Sequence, residues 1–204
     1  SSPLGRRRRR SWGPATGSVD AMALPDAVPL VHLDLGPGHG LGHGHGHGHD
    51  TPAPTGRRVV ACVSTRAGGV SAPPYDTCNL SFGTGDDPTA VRRNRELVCA
   101  AMGRTLDDLV VANQVHGGEV VVVDEPDRGR GAHDASGAVG DADALVTATP
   151  GLLLGVLLAD CVPVALWDPH RAVVAVAHAG WRGLAAGVLD HTVAALCQAA
   201  GCAS

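Results

Sequence analysis

The chain has 204 residues, 44% hydrophobic but only 2% aromatic, with 16 basic side chains against 20 acidic ones and a formal charge of -4, enough for one globular domain of ordinary size. Every basic residue is an arginine and five form the run Arg6 to Arg10, so residues 11–204 carry 11 arginines against 20 acids, or -9, which speaks against a general nucleic-acid binder. The longest apolar run, Gly151 to Ala159, ends at Asp160, short of the roughly 20 residues a membrane span needs, so no membrane is expected as a partner.

In chain order, residues 1–56 are rich in Gly, Pro, Arg and His without a 3.6- or 2.0-residue apolar period, and read as a disordered tail. Within it, residues 37–50 form a Gly-His repeat, either an unselected solvated stretch or a loose ligand for Zn, Ni or Cu. No apolar segment follows the arginine run, so export is not expected, and six scattered cysteines in a chain that needs no stapling fit a cytoplasmic location.

From Arg57 the pattern changes, and residues 57–204 are expected to form the catalytic domain. Val59 to Ser64 predicts a strand and Thr65 to Asp86 a long loop. Asp87 as N-cap, Pro88 in the first turn and Gly103 as terminator frame a helix that turns Val91, Leu97, Val98 and Met102 inward. Leu109 to Val115 and Glu119 to Asp124 predict strands joined at His116-Gly117-Gly118, and Glu125 to Gly140 is a polar excursion. Ala144 to Thr147, Leu152 to Leu158, Val162 to Trp167 and Ala172 to His178 are crowded apolar strands, expected to be buried on both sheet faces. A last helix over about Gly183 to Ala200 should turn Leu184, Val188, Val193 and Leu196 to the core, with Leu189 at the margin of that face. The class is α/β or α+β, a central mixed sheet flanked by helices.

Three metal-ligating residues stand at strand ends: His116 after Gln114-Val115, Cys161 after Ala159-Asp160, and His178 before Ala179-Gly180-Trp181-Arg182-Gly183. Two imidazoles and a thiolate leave a fourth position open, the pattern of catalytic zinc, although their spacing matches no local zinc signature. Each has a plainer reading: a small buried hydrophobe for Cys161, a core histidine for His178, a turn histidine for His116. Asp160 stands inside the most apolar stretch, where an unpaired carboxylate is costly, and so points to a site. Arg182, at a glycine-flanked helix start, either holds a phosphate or carboxylate or pairs with Asp160 or Asp143. In the long loop, Arg66 and Asn79 either cap the loop or line a pocket.

The motifs Ser64-Thr65-Arg66-Ala67-Gly68-Gly69-Val70-Ser71, Asn79-Leu80-Ser81, Gly85-Asp86-Asp87-Pro88, Asn94-Arg95, Asn113-Gln114-Val115-His116-Gly117, Asp141-Ala142-Asp143-Ala144-Leu145-Val146-Thr147, Ala159-Asp160-Cys161-Val162-Pro163-Val164 and Ala177-His178-Ala179-Gly180-Trp181-Arg182-Gly183 together resemble the YfiH family. The resemblance covers about Arg57 to Gln198 and is specific only jointly. That family is also described as multicopper polyphenol oxidoreductase (laccase), purine nucleoside phosphorylase, or peptidoglycan editing factor. The resemblance implies a cysteine-hydrolase-like α/β fold, here lacking its C-terminal part because family members continue beyond the last helix. It also implies zinc, or copper, held by the residues matching His116, Cys161 and His178.

The activity so implied is phosphorolysis of adenosine, inosine and methylthioadenosine, with adenosine deamination on the side. Purine nucleoside and phosphate would be the partners, with Cys161, Asp160 and Arg182 in the chemistry and Arg66, Asn79 and Gln114 on the substrate. The laccase description implies copper oxidation of phenols, for which a sulfur-containing three-ligand site offers no multicopper centre. Two readings compete. One is a metal-free hydrolase with Cys161 as nucleophile and His178 or His116 as base, acting on peptidoglycan precursors; the other is an inactive copy whose Gly-His repeat merely sequesters metal.

Overall fold

The computed structural model describes residues 30–34, 59–168 and 170–202. The arginine run and the Gly-His repeat lie outside these residues. Within the stretch read as a tail, Leu30–Asp34 forms a strand, β1, paired antiparallel with β2 (Val60–Ser64), Leu30 opposite Ser64 and Asp34 opposite Val60. The expectation of an unstructured 1–56 is corrected there: five residues flanked by proline-rich sequence are too few to display a period, and the pairing partner lies far along the chain.

The loop after β2 leads into α1 (Pro88–Ala101), capped as anticipated by the Asp87 carboxylate, which accepts from Thr89 N–H at 2.9 Å. Val91 is fully buried, while Leu97, Val98 and Met102 are partly buried around Cys78. The same helix face also buries Asn94 and Arg95. Arg95 survives there by donating to the carbonyls of Leu80, Gly131 and Ala132 and lying over the Phe82 ring; burial lowers its pKa to about 10.

The remaining strands are β3 (Leu109–Val111), β4 (Val120–Val122), β5 (Ala144–Thr147), β6 (Leu153–Gly155), β7 (Val162–Asp168) and β8 (Val173–Ala179). β3 pairs with β6 in parallel; β4, β5, β8 and β7 form one mixed sheet in that order, with β8 antiparallel to both neighbours. β5, all of whose residues are buried, lies inside the sheet as predicted. β6 and β7 do not meet that prediction. β7 lies at the sheet's edge with Val162 60% exposed, and β6 is only half-buried. Between them, β2 and the β7–β8 surface lies an apolar trough of about 820 Å³, lined among others by Cys62, Leu154, Val156, Leu166 and Val176.

The last helix is two. α2 (Trp181–Ala185) is capped at Gly180 and starts two residues earlier than the expected Gly183, and Gly187, with a φ of +79°, turns the chain before α3 (Val188–Ala199). The break rotates the apolar stripe. Val188 is fully buried and Leu196 and Leu189 pack on the sheet, whereas Leu184 and Val193, expected inward, are about half exposed. No described helix is long and apolar enough to cross a membrane.

Candidate metal centre

His178 is the second-last residue of β8, a strand fixed in register by Pro163 on one side and by the β5 ladder on the other. His116 sits in the turn between β3 and β4 with a φ of +61°, and Cys161 immediately precedes β7. Their ligand atoms all lie within 4.8 Å of one another. The two rings meet edge to face at 4.7 Å. His178 is buried, Cys161 half-buried and His116 exposed, so the cluster opens to solvent on the His116 side.

One carboxylate assembles this cluster. Asp143, 1% exposed, stands just before β5. Its Oδ1 accepts from His178 Nδ1 at 2.7 Å and His116 N–H at 3.0 Å; its Oδ2 accepts from Gly117 N–H at 2.7 Å and Val115 N–H at 3.2 Å. Its carbonyl accepts from His178 N–H at 2.7 Å. Burial by itself would raise this carboxyl's pKa. The bonds from His178, Gly117, His116 and Val115 outweigh it and hold the group below the ordinary range. Because a carboxylate only accepts, His178 Nδ1 must carry a proton, so in the neutral imidazole the lone pair lies on Nε2, the nitrogen left for a metal.

Close packing completes the arrangement. A side chain on Gly180 would place its Cβ 3.0 Å from Cys161 Sγ and 3.2 Å from His116 Cδ2. A Cβ on Gly118 would fall 2.5 Å from the Ala186 carbonyl, so the His116 turn lies directly against the end of α2. His191 Nδ1 donates to the Gly118 carbonyl at 2.8 Å and ties that turn to α3.

The donor set suits a borderline divalent ion. Tetrahedral zinc with bonds of about 2.0–2.3 Å separates the donors of a two-nitrogen, one-sulfur set by roughly 3.3–3.5 Å, so these three, all within 4.8 Å of one another, need to draw in by about 1.5 Å at most. A carboxylate behind one imidazole is the usual support of such a ligand.

The other predicted residues are distributed differently. Asp160 is exposed, not buried, because the chain bends out of the sheet between β6 and β7; the buried acid of this region is Asp143. The same cost argument that singled out Asp160 applies to Asp143, which stands against buried Ala144-Leu145-Val146, and would have found it. Arg182 is exposed and lies over the Trp181 ring at 5.2 Å; among the described residues it makes no ion pair with Asp160 or Asp143. Gln114 is a clamp: its amide donates to the Leu157 carbonyl at 2.9 Å and accepts from Leu157 N–H at 2.6 Å, joining the segments after β3 and β6. Asn79 spends its amide inside the long loop, donating to Ser81, Thr84 and Asp86. Arg66 is the exposed member, its Nε donating to the Asp76 carbonyl at 2.9 Å.

A mixed sheet that brings two histidines and a cysteine together around one buried acid defines a metal-capable α/β domain. Residues 60–204 match the family model described as multi-copper polyphenol oxidoreductase laccase, and the chain belongs to that family, the YfiH family of the sequence resemblance. It is 47% identical over 132 residues to a protein named purine nucleoside phosphorylase from Mycobacterium tuberculosis, covering 65% of this chain and 50% of that one. To the protein of the same name from Streptomyces coelicolor it is 50% identical over 133 residues, covering 65% and 52%. Among solved structures, Bacillus licheniformis hypothetical protein YfiH superposes with a TM-score of 0.68 at 36% identity, over 70% of this chain and 53% of that one. Geobacillus stearothermophilus YlmD gives 0.66 at 39%, over 68% and 51%. The chain thus spans about half the length of the relatives it matches.

Proposed function

We propose that the protein is a zinc-dependent purine nucleoside phosphorylase acting on adenosine, inosine and methylthioadenosine, with a weaker adenosine deaminase activity, in the cytoplasm. The observation that carries this reading is the His116–Cys161–His178 cluster with His178 oriented by Asp143, in a chain whose matched 132–133 residues are 47–50% identical to proteins named purine nucleoside phosphorylase. His116, Cys161 and His178 would hold the ion; copper suits the same donors less specifically. Bound there, zinc would supply a Lewis acid beside the exposed face of the cluster.

In phosphorolysis a phosphate oxygen forms a bond to the ribose C1′ while the bond from C1′ to the purine nitrogen breaks, giving ribose 1-phosphate and the free base. Arg182 offers a permanent positive charge next to the cluster for the incoming phosphate. Arg66 presents the second exposed guanidinium. Asn79 and Gln114 act in this reading by fixing the loop and strand ends that shape the substrate side. Asp160, exposed next to Cys161, serves as a proton carrier for the leaving base or, in deamination, for the departing ammonia.

The test is product analysis by chromatography after the full chain is incubated with adenosine and phosphate, beside a Cys161→Ser control. The full chain is used because β1 lies at residues 30–34. Adenine together with ribose 1-phosphate, formed only with Cys161 intact and lost on chelation, is the expected result. Activity on a peptidoglycan-precursor amide that survives chelation would replace this reading with the metal-free hydrolase; no product from adenosine in a folded sample would remove the phosphorylase reading and leave the hydrolase or an inactive copy.

A further inference from the structure

The end of α3 carries two cysteines brought together by its cap. Cys202 N–H donates to the Cys197 carbonyl at 2.9 Å, Gly201 N–H donates to the Gln198 carbonyl at 3.0 Å, and Gly201 has a φ of +65°. This is a Schellman cap, whose two bonds press the side chain before the helix end against the one after the left-handed glycine. Ordinarily that contact is between two apolar groups. Here the two positions are both cysteines, and both are free thiols.

The surroundings leave the pair reachable and held. Both cysteines are half-buried, and Cys202 packs on the cluster of Val146, Val173, Ala175 and Ala200. Burial, then Cys202 and Asp168, push the Cys197 thiol up, and Arg171, ion-paired with Asp168 at 3.0 Å, offsets this only in part, so it is the closeness imposed by the cap and not an acidified thiol that favours reaction between the two. The other described thiols outside the metal cluster differ: Cys78 and Cys99 are buried, and Cys62 Sγ is turned against the Met102 sulfur at 3.1 Å.

We propose that Cys197 and Cys202 are an oxidisable dithiol that closes to an intrachain disulfide on reaction with a peroxide. One thiolate attacks a peroxide oxygen, forming a sulfenic acid and releasing the first water once the leaving oxygen is protonated. The second sulfur then displaces the sulfenic hydroxyl as the second water. Two thiol protons and two electrons pass to the peroxide, and one S–S bond forms. The site stands apart from the metal cluster and does not depend on the activity proposed for it.

The sequence supplies a clean readout. Cleavage after Arg182 releases Gly183 to Ser204, which contains Cys197 and Cys202 and no other cysteine. The full chain is treated with hydrogen peroxide, alkylated with iodoacetamide, cleaved and weighed. Expected is a peptide lighter by two hydrogens that takes no alkyl group until reduced, formed about tenfold faster in the native chain than in the urea-unfolded one because the cap holds the sulfurs together. Cys202→Ser should abolish closure while leaving the circular dichroism spectrum unchanged. The proposal is overturned if the native peptide still takes two alkyl groups after peroxide, if either cysteine links instead to one elsewhere, or if the unfolded chain closes equally fast.

Discussion

Two buried side chains of nearly the same shape organise the two polar centres of this molecule, and they do opposite things. Asn94, inside α1, is fully buried; its Oδ1 accepts from Val70 N–H at 2.8 Å while its Nδ2 donates to Ser71, Thr77 and Asn79. Every one of those partners belongs to the loop between β2 and α1, so the network closes on itself. Asp143 is equally buried but only accepts, and it gathers three backbone N–H groups and an imidazole. An imidazole has a second nitrogen. Satisfying the acid therefore leaves the lone pair of the neutral imidazole there, and the centre at β5 and β8 ends in reactive atoms where the loop centre ends in none.

The comparison breaks most sharply if the two side chains are altered. Asp143→Ala strands four donors, and its expected cost is about 3–5 kcal/mol, since buried groups left unsatisfied are worth about 1–3 kcal/mol each. Asp143→Asn keeps the shape but turns an NH₂ group on N–H donors, and is expected to lose metal as well as stability. Asn94→Ala should cost about 2–4 kcal/mol, from buried groups worth about 1–3 kcal/mol each when left unsatisfied, and leave cobalt binding intact in the folded fraction. Urea unfolding followed beside cobalt absorption distinguishes the two. If Asn94→Ala loses cobalt while folded, or Asp143→Asn keeps it at full affinity, the division between a closed and an open centre is wrong.

A smaller perturbation sharpens the same point without touching either hub. Gly180→Ala puts a methyl group 3.0 Å from Cys161 Sγ and 3.2 Å from His116 Cδ2 while disturbing no hydrogen bond of Asp143. Metal affinity is expected to fall about 10–100-fold, as for other supports of a ligand set, with stability little changed because Gly180 sits at an ordinary φ of -76°. Competition with a chelating dye measures it. An affinity equal to that of the parent chain would mean that the three ligands move freely past Gly180 and that its size has no role in the cluster.

What the sequence displayed follows from the range of each interaction. α1 was legible because its signals, Asp87, Pro88 and Gly103, are local, and β5 because a strand between two others shows as an unbroken apolar run. The burial of β6 and β7 was misread since an edge position depends on which strands pair, and that lies nowhere in the local pattern. His116, Cys161 and His178 stood out by residue type and position, and the structure brings them within 4.8 Å. Asp143 and Asn94 did not stand out. Both interrupt apolar patterns, which by burial cost marks them as polar groups needing partners, but those partners, at residues 15–35 positions away, lie nowhere in the local pattern. Asn79 and Gln114 stayed ambiguous for a different reason, since a polar residue between hydrophobic anchors reads equally well as a substrate group or as a clamp.

The loop centre also has a charged member, and it gives the mildest test. Asp86 accepts from Ser71 Oγ at 2.7 Å and from Asn79 Nδ2 at 3.0 Å, and these bonds, Ser71 first, hold its pKa below the ordinary value. A carboxylate depressed in the folded state stabilises that state fully above the unfolded value of about 3.9, and the contribution disappears as the pH falls through the folded value. The stability difference between the parent and Asp86→Asn is therefore expected to stay constant from about pH 7 to pH 5 and to shrink only below about pH 4. Other depressed carboxylates, Asp143 among them, cancel in that difference because both chains carry them. Urea midpoints across the pH range give the curve. A difference that begins to shrink well above pH 5 would mean that Asp86 titrates at or above the ordinary value, and that the Ser71 and Asn79 bonds serve the loop's shape without favouring the charge.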